Sequence, residues 1–281
     1  MTNSFDLHLH TTASDGTLTP QEVVEQAAAA SIQTIAFTDH DTLSGYQEAR
    51  SIAADLGVQL LAGVELNTDL DGAEVDILGY FTESPGPEFL ELLEMRQTGR
   101  IHRAEEIVRK LNDLGLTIDF DRVRAVAHGA MCRPHIAQVM IEQGYVQSQS
   151  EAYTRYIGLG APAHVEHDEL DPRDAIHFIN AAGGAAVIAH PGLIGDDAIV
   201  FRLIEAGVSG LEAYYPEHSA EDTQRYLKIA RDHGLLVTGG TDGHGPGRKK
   251  SSAIGSITAP AEIPDNLNAY LHERIANGRE A

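Results

Sequence analysis

Short apolar runs with β character alternate with helical stretches from the start of the chain, stop doing so for about seventy residues, and then resume. Strand-like segments are expected at 5–9, 34–38, 59–64, 75–81, 185–189, 210–214 and 235–239, with a last short one at 254–258. Helical periodicity lies between most of them, opened by signals such as Thr19-Pro20-Gln21-Glu22 and Asp171-Pro172, an N-cap followed by proline in the first turn. Asp69-Leu70-Asp71-Gly72 reads as a hairpin turn, so the strand after it returns antiparallel. Seven main strands alternating with helices make the chain α/β, and a closed β/α barrel is the simplest architecture.

The interruption, within residues 85–164, is helical to about Tyr156, with Ile101, Ala104, Ile107, Val108 and Leu111 at helical spacing and further helices expected near 121–127, 134–143 and 148–157. The expected organisation is a barrel built from 1–84 and 165–281, carrying 85–164 as an all-helical insertion that forms a substrate lid.

Charge separates the same regions. The formal net charge is −22, which argues against duplex DNA and other long nucleic acid as partners, since these need basic surface. Residues 96–133 nonetheless hold eight basic and five acidic residues, against one and 17 in residues 1–95. A basic window of this kind suits an anion-attracting lid or an ordinary solvated helix face. A lone cysteine, Cys132, forms no internal disulfide and fits a reducing compartment. The N-terminus lacks a secretory pattern and no apolar run is long enough to cross a bilayer, so the expected location is cytoplasmic, with no membrane partner.

Asp6-Leu7-His8-Leu9-His10 places two histidines on one side of an extended segment, where paired imidazoles make good metal ligands. On its own the pair is weak. His40, Glu65, His190, Asp242 and His244 follow at the carboxyl ends of other predicted strands, the edge where β/α barrels build their sites. Five histidines with carboxylates exceed what one ion needs and point to a cluster of two or three divalent ions. Nitrogen and oxygen ligation without thiolate suits manganese, iron or zinc, and the ligand types alone do not choose among them.

The motifs His8-Leu9-His10, Ser14-Asp15-Gly16, Thr38-Asp39-His40, Gly63-Val64-Glu65, Ala189-His190-Pro191 and Thr241-Asp242-Gly243-His244 together resemble the PHP (polymerase and histidinol phosphatase) family, a branch related to the amidohydrolases. The resemblance implies a distorted (β/α)7 barrel with up to three ions. By position it implies a first site of His8, His10, Glu65 and Asp242. A second site takes Glu65 as a bridge with His190 and His135, and a third takes Asp15, His40 and His244. Many relatives carry histidine where this chain has Asp15.

Within the family, the insertion bearing Arg133-Pro134-His135 resembles the nucleoside 3′,5′-bisphosphate phosphatases, some of which also trim short RNA from its 5′ end. The expected activity is removal of the 3′-phosphate to give the 5′-monophosphate, with short single-stranded RNA as a second partner. Phosphatase action on another small monoester, of the histidinol phosphate type, and a non-catalytic metal-binding module are the alternatives. Glu65, Asp242 and Arg133 are the expected catalytic residues. Arg133 suits a phosphate because its fork holds two oxygens at once. Ser14, Lys249 and Lys250 are expected at the substrate, the lysines on the second phosphate, and His218 and His164 are loop candidates for the general acid.

Overall fold

The computed structural model describes residues 5–166, 170–247 and 252–278. Seven strands form one sheet in chain order: β1 (Phe5–Leu9), β2 (Thr34–Phe37), β3 (Gln59–Leu70), β4 (Ala73–Phe81), β5 (Ala185–Ile188), β6 (Gly210–Tyr214) and β7 (Leu236–Gly239). Neighbours are parallel except at β4, which runs antiparallel to both β3 and β5. The sheet closes where the segment after β7 meets the end of β1, with a Leu9–Gly243 bridge and a 3.0 Å hydrogen bond from the His10 amide to the Gly243 carbonyl. The architecture is thus the distorted seven-stranded barrel. Gly240 permits the closure: a Cβ there would lie 2.3 Å from His8 Cβ.

Helices α1 (Pro20–Ala29), α2 (Ser44–Asp55), α7 (Pro172–Ala181), α8 (Asp197–Glu205), α9 (Ala220–His233) and α10 (Ile263–Gly278) belong to the barrel. α1 starts with the expected capping box, Thr19 accepting from the Glu22 amide while Glu22 reaches back to Thr19. Phe5, Leu7, Leu61, Leu78, Tyr80 and Val187 belong to one buried cluster that fills the barrel; each large side chain contributes about 1.5–3 kcal/mol of burial. The Tyr80 hydroxyl is satisfied there by the Leu7 carbonyl at 2.8 Å.

Between β4 and α7 lie α3 (Pro87–Asp113), α4 (Phe120–Val126), α5 (Arg133–Glu142) and α6 (Gln149–Ala152), the last continuing as a π-helical turn over Tyr153–Ile157. α3 serves two cores. Phe89, Leu92 and Leu93 pack with the barrel's outer layer, while Ala104, Ile107, Val108 and Leu111 pack with α4 and α5 in a core of their own. Among the described residues, no helix is long and apolar enough to cross a membrane.

Two expectations need correction. Residues 254–258 form a turn and irregular chain rather than a strand; Gly255 has φ +70°, and its amide is committed to the buried Asp6 carboxylate at 2.9 Å. The third strand does not end at Glu65 but continues to Leu70, so Glu65 sits mid-strand opposite Leu78. The two-residue turn Asp71-Gly72, with φ of +58° and +89°, makes a type I′ connection and lets the hairpin extend past the barrel rim.

Candidate metal centre

Period-two alternation alone would not bring His8 and His10 inside, because Phe5 and Leu7 already point into the barrel core. Between the pairs Asp6–Ile35 and Leu9–Phe37, β1 spends three steps where β2 spends two. This extra residue acts as a bulge and flips the later side chains inward, a device common beside active sites. The expectation that the two histidines share a side holds, on the face opposite to an unbroken strand.

Three groups of ligand-type atoms lie together at this rim: His8, His10, Glu65 and Asp242; His10, Asp15, His40 and His244; and Glu65, Asp76 and His190. His10 and Glu65 each belong to two groups and so link all three. His10 Nε2 lies 3.1 Å from Glu65 and 3.3 Å from Asp242, and His8 Nε2 lies 3.4 Å and 3.5 Å from the same two carboxylates. Asp15 faces His244 at 3.3 Å and His40 at 3.8 Å. His190 Nε2 is 3.4 Å from Glu65 and 3.7 Å from Asp76.

Surrounding groups fix these orientations. Glu212, fully buried on β6, accepts from His8 Nδ1 at 3.0 Å and from the His190 amide at 2.9 Å. His8 therefore presents Nε2 to the centre. His244 donates through Nδ1 to the Asp242 carbonyl at 2.8 Å, and the Tyr215 hydroxyl donates to Asp242 Oδ2 at 3.2 Å. His190 (φ +29°) and Asp242 (φ +52°) hold left-handed backbone that few side chains adopt, strain typical of functional positions.

The electrostatics of the site suits a bound cation. Burial would lower the His8 pKa, but the charges of Glu212, Asp242 and Glu65 outweigh it and raise it well above the usual range. His10 rises to about 10: burial is opposed more strongly by Asp242 and Glu65. Burial would raise Asp15 and Glu65, yet neighbouring histidines hold both well below the usual carboxylate range. His40 goes the other way, to about 4, because burial prevails over Asp15 and Glu65. Among the described residues, His8 Nε2, His10 Nε2, His40 Nδ1 and Asp15 Oδ1 are buried without a hydrogen-bond partner. Buried polar atoms in that state are costly. Imidazole nitrogens and carboxylate oxygens aimed at shared points fit divalent ions of the manganese, iron or zinc kind.

Other expected residues are placed differently. The structure brings Asp76, not His135, to His190 and Glu65. His135 caps α5 instead, its Nδ1 accepting from the Cys132 amide at 3.1 Å. It also lines, with Ser14, His128, Arg122 and Gln138, a cavity of about 380 Å³ between the 12–17 loop and the insertion. The Ser14 hydroxyl donates to Asp39 at 2.6 Å, so its proton is committed within the protein. Arg133 lies outside the three ligand groups, with its guanidinium 5.3 Å from the Tyr153 ring centroid. His218 has both ring nitrogens engaged, with Ala213 O and the Gly192 amide, which argues against it as a general acid. His164 is part-exposed in the loop before residue 165. Lys249 and Lys250 lie outside the described residues.

Asp76 and Glu212 were missed by the sequence reading. Asp76 sits at the rim because β4 is antiparallel, so its beginning, not its end, meets the carboxyl ends of the parallel strands. Its signal is alternation: Asp76, Leu78 and Tyr80 share the inward face. Glu212 is signalled only by being an acid inside an apolar strand.

Residues 6–159 match the PHP domain family. A 5′-3′ exoribonuclease of Haemophilus influenzae is 34% identical over 88% of this chain and 92% of its own. A 3′,5′-nucleoside bisphosphate phosphatase of Chromobacterium violaceum is 34% identical over 87% of this chain and 88% of its own. A phosphoribosyl 1,2-cyclic phosphate 1,2-diphosphodiesterase of Eggerthella lenta is 34% identical over 85% and 94%. Among solved structures, an amidohydrolase from Chromobacterium violaceum with bound sulfate superposes with a TM-score of 0.83 at 31% identity, covering 95% of this chain and 96% of that one. On its motifs, its barrel and these matches, the chain belongs to the PHP domain family.

Proposed function

We propose that this PHP-family metal-dependent phosphoesterase removes the 3′-phosphate of nucleoside 3′,5′-bisphosphates to give the 5′-monophosphate, with manganese in a cluster of two or three ions. The observation that carries the reading is the set of three buried to half-buried ligand groups linked by His10 and Glu65. Bound divalent ions supply Lewis acidity, lowering the pKa of a water and offsetting charge on the phosphoryl oxygens. The protein's own residues provide the rest. Glu212, Tyr215 and the Asp242 carbonyl hold His8, Asp242 and His244 in one orientation, so little reorganisation accompanies reaction. Residues 85–164 serve as the lid, and Arg133 meets a phosphate of the substrate. The similarity to the Chromobacterium phosphatase supports a bisphosphate as substrate. The acidic chain disfavours duplex DNA, and its one buried cysteine suits the cytoplasm.

The Haemophilus relative favours a second activity, 5′-to-3′ trimming of short single-stranded RNA. The test is phosphate release in Mn²⁺ from adenosine 3′,5′-bisphosphate, both adenosine monophosphates and RNA oligomers of increasing length. A substrate with two phosphates offers a second anchor, so kcat/KM for the bisphosphate should exceed that for the 3′-monophosphate by on the order of 10- to 1,000-fold. Equal values would refute the bisphosphate reading, and rates rising steeply with RNA length would make trimming the primary activity.

A further inference from the structure

Six of the eight arginines between residues 85 and 164 are ion-paired. Arg103 and Arg133 are the exceptions: among the described residues neither pairs with a carboxylate. Both are half-buried, in a chain whose formal net charge is −22 and where acids are plentiful.

The two stand on helices that pack against each other, α3 and α5, with Tyr153 and Val165 against the same core. Arg103, on α3, is fixed through Nε to the Val165 carbonyl at 3.0 Å. Arg133, the first residue of α5, lies against the Tyr153 ring at 5.3 Å. Among the described residues the Tyr153 hydroxyl has no hydrogen-bond partner. Burial first, then the Arg133 and Arg100 charges, pull Arg103 down to about 10, outweighing the opposing charge of Glu74. The same order of causes, burial and then Arg103 and Arg133, lowers His164. Tyr153, raised to about 12 by burial, is a neutral donor at physiological pH.

This cluster is joined to the metal centre through the segment before α5. The Ala130 amide donates to the Ala13 carbonyl at 2.8 Å, which docks that segment on the loop carrying Asp15. Holding two arginines near each other with no ion-paired carboxylate among the described residues costs free energy, and a dianion would offset it with charge-assisted hydrogen bonds.

We propose that Arg103, Arg133 and the Tyr153 hydroxyl form an anion seat, separate from the metal-ligand groups, for the phosphate of the substrate that is not hydrolysed. The inference rests on the bisphosphate reading above. It places Arg133 at the retained 5′-phosphate, and it assigns the second anchor to the insertion instead of Lys249 and Lys250.

The test uses adenosine 5′-monophosphate, which carries the retained phosphate, with adenosine as the control ligand. Binding is measured by calorimetry on the metal-free full chain, wild type against Arg103→Ala, Arg103→Lys and Arg133→Ala, with thermal melts to confirm folding and Arg103→Gln in reserve. Wild type should bind the monophosphate at least about 10-fold more tightly than adenosine, and either alanine variant should lose most of that preference. Arg103→Lys should restore part of it, keeping charge without the fork. In the Mn²⁺-loaded enzyme, the alanine variants' loss of kcat/KM should be at least about 10-fold larger for adenosine 3′,5′-bisphosphate than for p-nitrophenyl phosphate, which has one phosphate. Equal losses on the two substrates, or binding of the monophosphate indifferent to both arginines, would overturn the seat while leaving the bisphosphate activity standing. Arginine-dependent binding in an enzyme that does not cleave the bisphosphate would uphold the seat and refute the proposed substrate.

Discussion

Arg100 donates through Nε to Asp41 at 2.5 Å, and Asp41 is the residue that follows His40. The arginine comes from α3 of the insertion and the aspartate from the barrel rim. Arg96 lies 3.4 Å from the other carboxylate oxygen, and Arg100 also reaches the Asn67 side chain at 2.6 Å. Asp41 is completely buried, so its charge depends on these partners. The helical insertion is thereby bolted to the strand end that presents His40.

Removing one side of this pair leaves a buried charge poorly matched. Arg100→Met should destabilise the protein by about 3–5 kcal/mol in urea unfolding, more than an exposed pair such as Arg109–Asp113 would cost. Burial raises the Asp41 pKa, but Arg100 and Arg96 outweigh it and lower it below the usual carboxylate range. The contribution is therefore complete above the ordinary carboxylate range and lost as pH falls through the depressed folded value. The wild-type advantage over Arg100→Met should be full at pH 7 and shrink on strong acidification; an advantage that grows in acid would contradict this.

Asp76 tests the composition of the third ligand group. Asp76→Ala should lower metal content by about one ion per chain, measured by plasma emission, and cut kcat by at least about 100-fold while the fold survives. Full metal content would return His135 to consideration as the partner of His190.

Glu212 acts through His8. Replacing it by glutamine keeps an acceptor near Nδ1 but removes the charge that raises the ring's basicity. Metal affinity should fall about 10- to 100-fold, read as a shift in the Mn²⁺ activation curve. An unchanged curve would mean that His8 is oriented by packing alone.

Protons and metal should compete. In the metal-free protein His8 and His10 are held protonated above their ordinary range, His10 to about 10, and an ion must displace those protons. Mn²⁺ affinity should rise steadily from pH 6 to pH 9, with protons released on binding in weakly buffered titrations. Affinity flat across that range would remove these two rings from the ligand set.

Much of the barrel was legible because its strands are short apolar runs punctuated by cap signals, and Asp71-Gly72 announced its hairpin. Positions at parallel strand ends, His40, His190 and Asp242, followed from that frame. What escaped was whatever depended on departures from regular geometry. The bulge in β1 leaves no mark in the alternation of Phe5 to His10, and a strand running backwards hid Asp76 from a rule about carboxyl ends. His135 stands apart from the three ligand groups for a local reason: at the third position of a helix, a side chain is well placed to cap it. The pairing of Arg100 with Asp41 joins residues 59 apart and has no local signal.

The central claim, a multinuclear centre linked by His10 and Glu65, is tested most directly by anomalous diffraction from crystals grown with Mn²⁺. Two or three peaks are expected within the ligand groups of Glu65, Asp242 and Asp15, with His10 beside two of them. A single peak, or peaks lying away from Glu65, would contradict the account.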